Sequence, residues 1–114
     1  MHVSVMGYPD DSVVVIVRGQ LDLDTAPVLS TTLDQVLDRD VPRVVVDLSE
    51  VEFCDSTGLS TFVAGHNRAE RTGGWVRLAA PTAWMARLLD TVGLTGRIGV
   101  YPSVAEALST PAGS

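Results

Sequence analysis

The sequence predicts a single α/β domain in which a mixed, largely parallel β-sheet packs against about four α-helices. Residues 12–18 and 42–48 are two nearly continuous apolar runs rich in valine, which is typical of strands buried on both faces. Apolar residues recur at helical spacing in the segments that follow these runs. Strands that alternate with helices usually pair in parallel, because each helix carries the chain back across the sheet. At 114 residues the chain is long enough to bury one hydrophobic core.

The predicted sheet begins with a hairpin. Val3 and Val5 alternate with polar neighbours, and residues 8–11 have the composition of a turn before the first apolar run. Residues 75–78 follow two glycines and predict a further buried strand, whereas residues 97–101 predict a short edge strand. An exposed strand edge also permits a homodimer, although the sequence does not require one.

Four segments have the pattern of helices. Asp24 or Thr25 can cap the first helix, Ser56 opens the second, Pro81 opens the third, and a capping box at 103–106 opens the fourth. The apolar residues that share a face of the first three helices are Leu29, Leu33, Val36, Leu37, Leu59, Phe62, Val63, Ala69, Met85, Leu88, Leu89 and Val92.

The end of the chain contains two further signals. Gly93 is expected to close the third helix in a left-handed conformation. Residues after the fourth helix are small and polar and include a proline. We therefore expect the domain to span residues 1–110 and to be followed by a frayed tail, 111–114.

Charge and composition disfavour several classes of function. The formal net charge is −6, and the eight basic residues are all arginines that do not cluster, so we expect neither nucleic acid nor a membrane as partner. Cys54 is the only cysteine, and His2 and His66 are the only histidines, so no disulfide, metal site or cofactor is expected. No apolar run is long enough to span a bilayer and no signal peptide is evident, which predicts a cytoplasmic protein.

The segment Asp55-Ser56-Thr57-Gly58 begins the second predicted helix and carries an unusual glycine. Asp55 is a favourable N-cap. A glycine inside a helix costs about 1 kcal/mol relative to alanine, so a cap alone does not explain Gly58. The missing Cβ indicates a close approach by another backbone or by a ligand.

Two chemical interpretations of Ser56 are disfavoured. A nucleophilic serine needs a base within hydrogen-bond reach, whereas His66 lies ten residues along the helix, about 15 Å away. A phosphate-binding loop usually contains more glycine and a lysine, and this chain has no lysine. We therefore predict that the protein is not an enzyme and has no catalytic residue, with weak binding of a nucleotide or other small ligand as an alternative.

Three motifs in order along the chain carry a family resemblance. They are GQLD at 19–22, VVVDLS at 44–49 and FCDSTGL at 53–59, and the similarity continues through the paired glycines at 73–74 and on to residue 108. In this arrangement the chain resembles the STAS domain family and, more narrowly, the bacterial anti-sigma-factor antagonists. The resemblance covers nearly the whole sequence and implies a single STAS-type domain.

The resemblance implies a regulated binding protein. Ser56 would be phosphorylated by a GHKL-type serine kinase that is also the anti-sigma factor. The unphosphorylated protein would bind this partner and release sigma, and a PPM-type phosphatase would restore the binding form. Asp22, Asp55, Ser56, Thr57 and Gly58 would form the partner-binding surface, with Gly58 giving room to the partner's backbone.

Alternatives to these assignments stay open. Thr57 lies at the same helix start as Ser56, although the resemblance favours Ser56. Asp22 can equally serve to turn the chain into the first helix. The protein can also be a STAS subunit that docks constitutively in a transport assembly or a larger signalling complex.

Three other side chains have simpler expectations. Cys54 is expected to be a small buried residue, and His66 is expected to be solvated at an outward or boundary position. Trp84 lies off the apolar stripe of its helix and is expected to be partly exposed. It would either contribute to a protein contact or pack beside the last strand.

Overall fold

The computed structural model describes residues 1–111 as one sheet with helices packed on both faces. The strands are β1 (His2–Gly7), β2 (Val13–Leu21), β3 (Arg43–Cys54), β4 (Trp75–Ala79) and β5 (Val100–Tyr101). The helices are α1 (Ala26–Leu37), α2 (Ser56–Glu70), α3 (Ala83–Thr91) and α4 (Val104–Ser109), and a 3₁₀ turn, Leu94–Gly96, follows α3. The sheet order is β1-β2-β3-β4-β5, with β1 antiparallel to β2 and the other pairs parallel. The predicted α/β class, opening hairpin and four helices are confirmed.

Two hydrophobic clusters, one on each face of the sheet, hold the layers together. Side chains alternate across a strand, so Val13 and Val15 of β2 enter the larger cluster with the buried faces of α1, α2 and α3. Val14 and Val45 point to the opposite face, where Ala107 of α4 packs against them. Burial on both faces is the physical reason for the continuous apolar runs in the sequence.

Strand β3 is longer than the predicted strand, because it continues through polar residues to Cys54. Ser49 and Glu50 are exposed in this extension, whereas Val51 and Cys54 are buried. The pairing with β2 contains two register shifts in the same region, and such irregularities locally increase strand twist. At the far edge, β5 comprises two residues, which is shorter than the predicted 97–101.

The ends of α1 and α3 refine the predicted helix boundaries. Thr25 is the N-cap of α1, although its side chain makes no capping hydrogen bond. Thr82, and not Pro81, caps α3 by accepting a backbone N–H of the first turn at 3.2 Å. Gly93 has a φ of 80°, which is the left-handed ending that was predicted. Val92 was wrongly expected in the buried stripe and is 49% exposed, because the helix ends just before it.

Arg77 of β4 binds the C-terminal segment to the second face of the sheet. Its guanidinium lies 3.8 Å from the ring centroid of Trp75 and 5.5 Å from that of Tyr101. It donates hydrogen bonds to the backbone carbonyls of Ala107, Thr110 and Pro111. A buried cation therefore satisfies carbonyls at the C-terminal end of α4, where a positive charge is favourable.

The predicted domain boundary at residue 110 stays a prediction. The carbonyl of Pro111 is bonded to Arg77, and residues 112–114 of the predicted tail lie outside the described residues. Among residues 1–111, no helix has the length and apolar character needed to cross a membrane.

Candidate functional site

Two neighbouring parallel strands bring Asp22 and Asp55 to the same edge of the sheet. Leu21 and Cys54, the last residues of β2 and β3, are register partners, and each aspartate directly follows one of them. The N–H of Asp55 also donates to the carbonyl of Leu21 at 3.1 Å. Two acidic residues far apart in sequence thus share the carboxyl edge of the sheet.

Asp55 forms the N-cap of α2, as predicted. Its backbone is extended, with φ −106° and ψ −173°. Its Oδ1 accepts the backbone N–H groups of Thr57 at 2.9 Å and Gly58 at 3.2 Å. Among the first three residues of the helix, only the N–H of Ser56 is not engaged by this carboxylate.

Ser56 is the first residue of α2 and is exposed to solvent, whereas Thr57 is half-buried. The hydroxyl group of Ser60, one turn further along, donates to the backbone carbonyl of Ser56 at 2.9 Å, which fixes the first turn. Of the two adjacent hydroxyl residues, Ser56 is therefore the more accessible to another protein.

Asp22 has the structural role that was considered for it. Its Oδ1 accepts the backbone N–H groups of Asp24 at 3.0 Å and Thr25 at 3.1 Å. Its backbone carbonyl accepts the N–H of Ala26 at 2.8 Å. The side chain is half-buried and shapes the loop that leads from β2 into α1.

Gly58 has a different physical reason from the one expected. It is buried, and a Cβ added there would lie 2.6 Å from Leu21 Cγ and 2.8 Å from Cys54 Sγ. Real Cβ contacts are essentially never this short. The glycine thus lets the start of α2 pack against the ends of β2 and β3, and its contact with a partner stays a prediction.

Exposed apolar side chains flank the helix start. Phe53 and Trp84 are 43% and 40% exposed, and their rings stack with centroids 5.8 Å apart and an interplanar angle of 27°. Leu23, in the loop after Asp22, is 71% exposed. The predicted exposure of Trp84 is confirmed. Its contact with Phe53 was not predicted, because the polar residues preceding Phe53 concealed the end of β3.

A shallow groove of about 500 Å³ extends from Ser56 along α2. Leu59 and Val63 line it from α2, and Val92 and Leu94 line it from the end of α3 and the turn that follows. The exposure of Val92 therefore contributes to an apolar surface that begins at the exposed serine.

Neither Cys54 nor His66 has the surroundings of a catalytic partner for Ser56. Burial, and secondly the carboxylate of Asp55, raise the pKa of the Cys54 thiol to about 12, so it is neutral and unreactive at ordinary pH. The expectation that His66 is solvated was wrong, since its side chain is 12% exposed and its Nε2 lies 3.1 Å from Glu70 Oε1. Within residues 1–111, no three His, Cys, Asp or Glu side chains are grouped as metal ligands.

Three arginines make ion pairs or hydrogen bonds that hold parts of the fold together. Arg18 pairs with Glu50 at 2.7 Å and Arg68 with Asp34 at 2.9 Å, while Arg77 binds the C-terminal segment. The sheet edge beside Ser56 carries the carboxylates of Asp22 and Asp55 and the exposed apolar side chains of Leu23, Phe53 and Trp84.

Comparison with known proteins places these features in a family. The sequence profile described as "Mlab, STAS domain" matches residues 6–102. The chain is 29% identical over 91 residues to the anti-sigma-B factor antagonist of Bacillus subtilis strain 168, covering 80% of this chain and 83% of that protein.

Solved structures agree with this assignment. An anti-sigma factor antagonist from Mycobacterium paratuberculosis superposes with a TM-score of 0.84 at 31% identity, covering 95% of this chain and 91% of that one. The Bacillus anti-sigma factor antagonist SpoIIAA, in its unphosphorylated form, has the same fold, with a TM-score of 0.78 at 17% identity over 94% of this chain and 93% of that one. Its phosphorylated form gives a TM-score of 0.73 at 17% identity over 94% and 96% of the two chains. With a profile match that spans most of its length, the chain belongs to the STAS domain family.

Proposed function

We propose that this protein is a cytoplasmic anti-sigma-factor antagonist that acts by binding and not by catalysis. Its partner would be a GHKL-type anti-sigma factor with serine kinase activity, and binding would release sigma. The observation that carries the proposal is the exposed hydroxyl of Ser56 at the first residue of α2, in a STAS domain whose relatives are named anti-sigma factor antagonists.

The docking surface is proposed to consist of Asp22, Leu23, Phe53, Asp55, Ser56, Thr57 and Trp84. Apolar and aromatic side chains at its centre can supply binding energy, because such residues dominate protein interfaces. The carboxylates beside them favour a partner with a basic face. Gly58 belongs to the site indirectly, since it allows the close packing that positions Asp55 and Ser56.

Phosphorylation of Ser56 is proposed to switch binding off. The kinase would transfer the γ-phosphoryl group of ATP to Ser56 Oγ, releasing ADP and the hydroxyl proton. A PPM-type phosphatase would hydrolyse the phosphoserine to serine and inorganic phosphate. The phosphate adds a charge of about −1.5 to −2 beside Asp55 and near Asp22, at a surface that must lose water on binding. A loss of about 3 kcal/mol in binding free energy lowers affinity more than a hundredfold.

The hydrogen bonds that cap α2 support a phosphate that acts directly on the partner and does not rearrange the fold of this domain. Asp55 already occupies the N–H groups of Thr57 and Gly58, so a phosphate on Ser56 can reach only its own N–H without displacing that carboxylate. The phosphate would therefore extend into solvent, where a partner would meet it. The existence of SpoIIAA in both phosphorylation states, with one fold, agrees with a domain that remains folded.

The proposal is tested with a GHKL-type anti-sigma factor encoded in the same genome. The chain is incubated with this kinase and Mg-ATP, the modified residue is mapped by mass spectrometry, and binding is measured by calorimetry before and after modification. Phosphate on Ser56, retained binding in Ser56→Ala and weakened binding in Ser56→Asp are expected. Thr57→Ala is the control for the site of modification and should still carry the phosphate on Ser56.

Two outcomes would contradict the switch. Phosphate found on Thr57 would show that Ser56 is not the modified residue. Equal affinity of the modified and unmodified proteins would show that phosphorylation does not control binding. Copurification with components of a membrane transporter, with no modification of Ser56, would instead support the constitutive STAS subunit.

A further inference from the structure

Strand β1 is an edge of the sheet with one side unpaired among residues 1–111. It pairs with β2 through six consecutive residues, from His2 opposite Arg18 to Gly7 opposite Val13, without a register shift. An edge strand exposes a row of backbone N–H and C=O groups that can template a further strand. Because β1 pairs with β2 in a regular register, its free backbone groups lie in a straight row that can accept a further strand.

The two edges of this sheet differ in how they are protected. Natural edges are usually protected by shortness, charged side chains, proline or bulges. The far edge, β5, is two residues long. Strand β1 is six residues long and contains no Asp, Glu, Lys, Arg or Pro. Its Val5 and Met6 point to opposite faces and are each 49% exposed, so an added strand would cover apolar surface on both faces.

We propose that this edge pairs with β1 of a second copy of the chain, antiparallel about a twofold axis perpendicular to the sheet. The two five-stranded sheets would then form one continuous sheet. Such an axis keeps equivalent faces of the two sheets on the same side. Two registers are then possible. In one, Ser4 pairs with Ser4 of the second copy and Val3 with Val5; in the other, Val5 pairs with Val5 and Ser4 with Met6. An isologous contact of this kind satisfies both edges at once.

Strand β1 lacks the acidic residues that would otherwise repel a second copy of the chain at this edge. The chain carries 14 acidic and eight basic residues, so two copies repel each other over most of their surfaces. Strand β1 has no acidic residue, which lets the two backbones approach without a like-charge contact in the pairing itself.

The expected dimer is weak and dependent on concentration. Stable interfaces bury about 1,600 Å² in total, and a single pair of six-residue strands covers less than this. Added salt should strengthen the dimer by screening the net charge of −6 on each copy. Strand β2 separates β1 from β3, so pairing at β1 leaves the helix start at Ser56 free. The inference is thus independent of the proposed function.

Sedimentation equilibrium over a wide concentration range tests the self-association. Val5→Lys should raise the dimer dissociation constant by about tenfold or more, because it places like charges across the paired strands. Val41→Lys is the matched control, since Val41 is 52% exposed in the turn before β3, and it should leave the constant unchanged. A monomer at all concentrations, or a dimer that Val5→Lys leaves intact, would overturn the proposal.

Disulfide trapping tests the geometry independently of affinity. In a Cys54→Ala background, Ser4→Cys or Val5→Cys should form an intermolecular disulfide under mild oxidation, because residues that pair with themselves bring two Cβ atoms close enough. Val41→Cys should not. Equal trapping at all three positions would indicate random collision and reject the strand pair. Protection of the β1 amides from hydrogen exchange only when the anti-sigma factor is added would assign the edge to that partner instead.

Discussion

The side chain of Leu21 fills the space beside Gly58, with its Cγ 2.6 Å from the position a Cβ on that glycine would take. Leu21 ends β2, and Gly58 lies in the first turn of α2, so this contact fixes how closely the helix approaches the sheet edge. The position of Asp55 and Ser56 follows from it, because both lie between the end of β3 and the glycine.

Gly58→Ala should destabilise the domain by about 1–3 kcal/mol, because the added methyl group has no space in a packed core. Urea unfolding gives the free energy of unfolding. Gly96→Ala is the control, since a Cβ there meets nothing within 4 Å. Equal stability of the two variants would contradict the packing role of Gly58. Combining Gly58→Ala with Leu21→Ala should cost less than the sum of the single changes, because the second change makes room for the methyl group.

Cys54 should remain unreactive in the folded protein and should make stability fall at alkaline pH. Its folded pKa is raised to about 12, whereas an unfolded thiol titrates near 8.5. The stabilising contribution is therefore complete below about pH 8.5 and is lost as pH rises toward the folded pKa, by up to about 1.4 kcal/mol per pH unit. Urea unfolding between pH 8 and pH 10, compared with Cys54→Ala, isolates this slope. Rapid labelling of native Cys54 by a thiol reagent at pH 8 would refute it.

Trp84→Ala should weaken binding to the proposed anti-sigma factor by about 2 kcal/mol, or about thirtyfold, because a large aromatic side chain at an interface commonly dominates its binding energy. The side chain is 40% exposed, so stability should change far less than binding. Calorimetric titration measures the affinity, with Val41→Ala as the control, since Val41 is also an exposed apolar residue, at 52%. An unchanged dissociation constant would restrict the interface to the polar residues around Ser56.

Arg77→Ala should loosen α4 before the rest of the fold. The change removes hydrogen bonds to three carbonyls and the stacking on Trp75, and leaves those carbonyls to find other partners. A cost of about 3 kcal/mol is expected. Hydrogen exchange should accelerate most at the amides of Val104–Ser109. Arg87→Ala, at an exposed position of α3, should leave both measurements unchanged. Uniform acceleration across the sheet would indicate that Arg77 supports the whole domain equally.

Local patterns predicted most of the fold because they coincide with the tertiary environment. The valine runs mark strands buried on both faces. Asp55 caps α2 through hydrogen bonds to the next residues in sequence, so this role does not depend on where the helix packs. Even the placement of Asp22 and Asp55 at one edge of the sheet follows once β2 and β3 are parallel neighbours, since both strands end there.

The remaining features depend on contacts between distant segments. Ser49 and Glu50 conceal the continuation of β3, because they are polar and exposed although the strand continues through them to Cys54. The stacking of Phe53 on Trp84 needs the relative position of β3 and α3. The reason for Gly58 could not be found from its neighbours in sequence, since the atoms that exclude a Cβ belong to Leu21 and Cys54.

The attachment of Pro111 to Arg77 has a practical consequence for experiments on this protein. The chain leaves its described region beside α4, on the sheet face opposite α1, α2 and α3. A fluorescent reporter attached directly after Pro111 would therefore begin on the sheet face away from α2, where it would leave Ser56 uncovered.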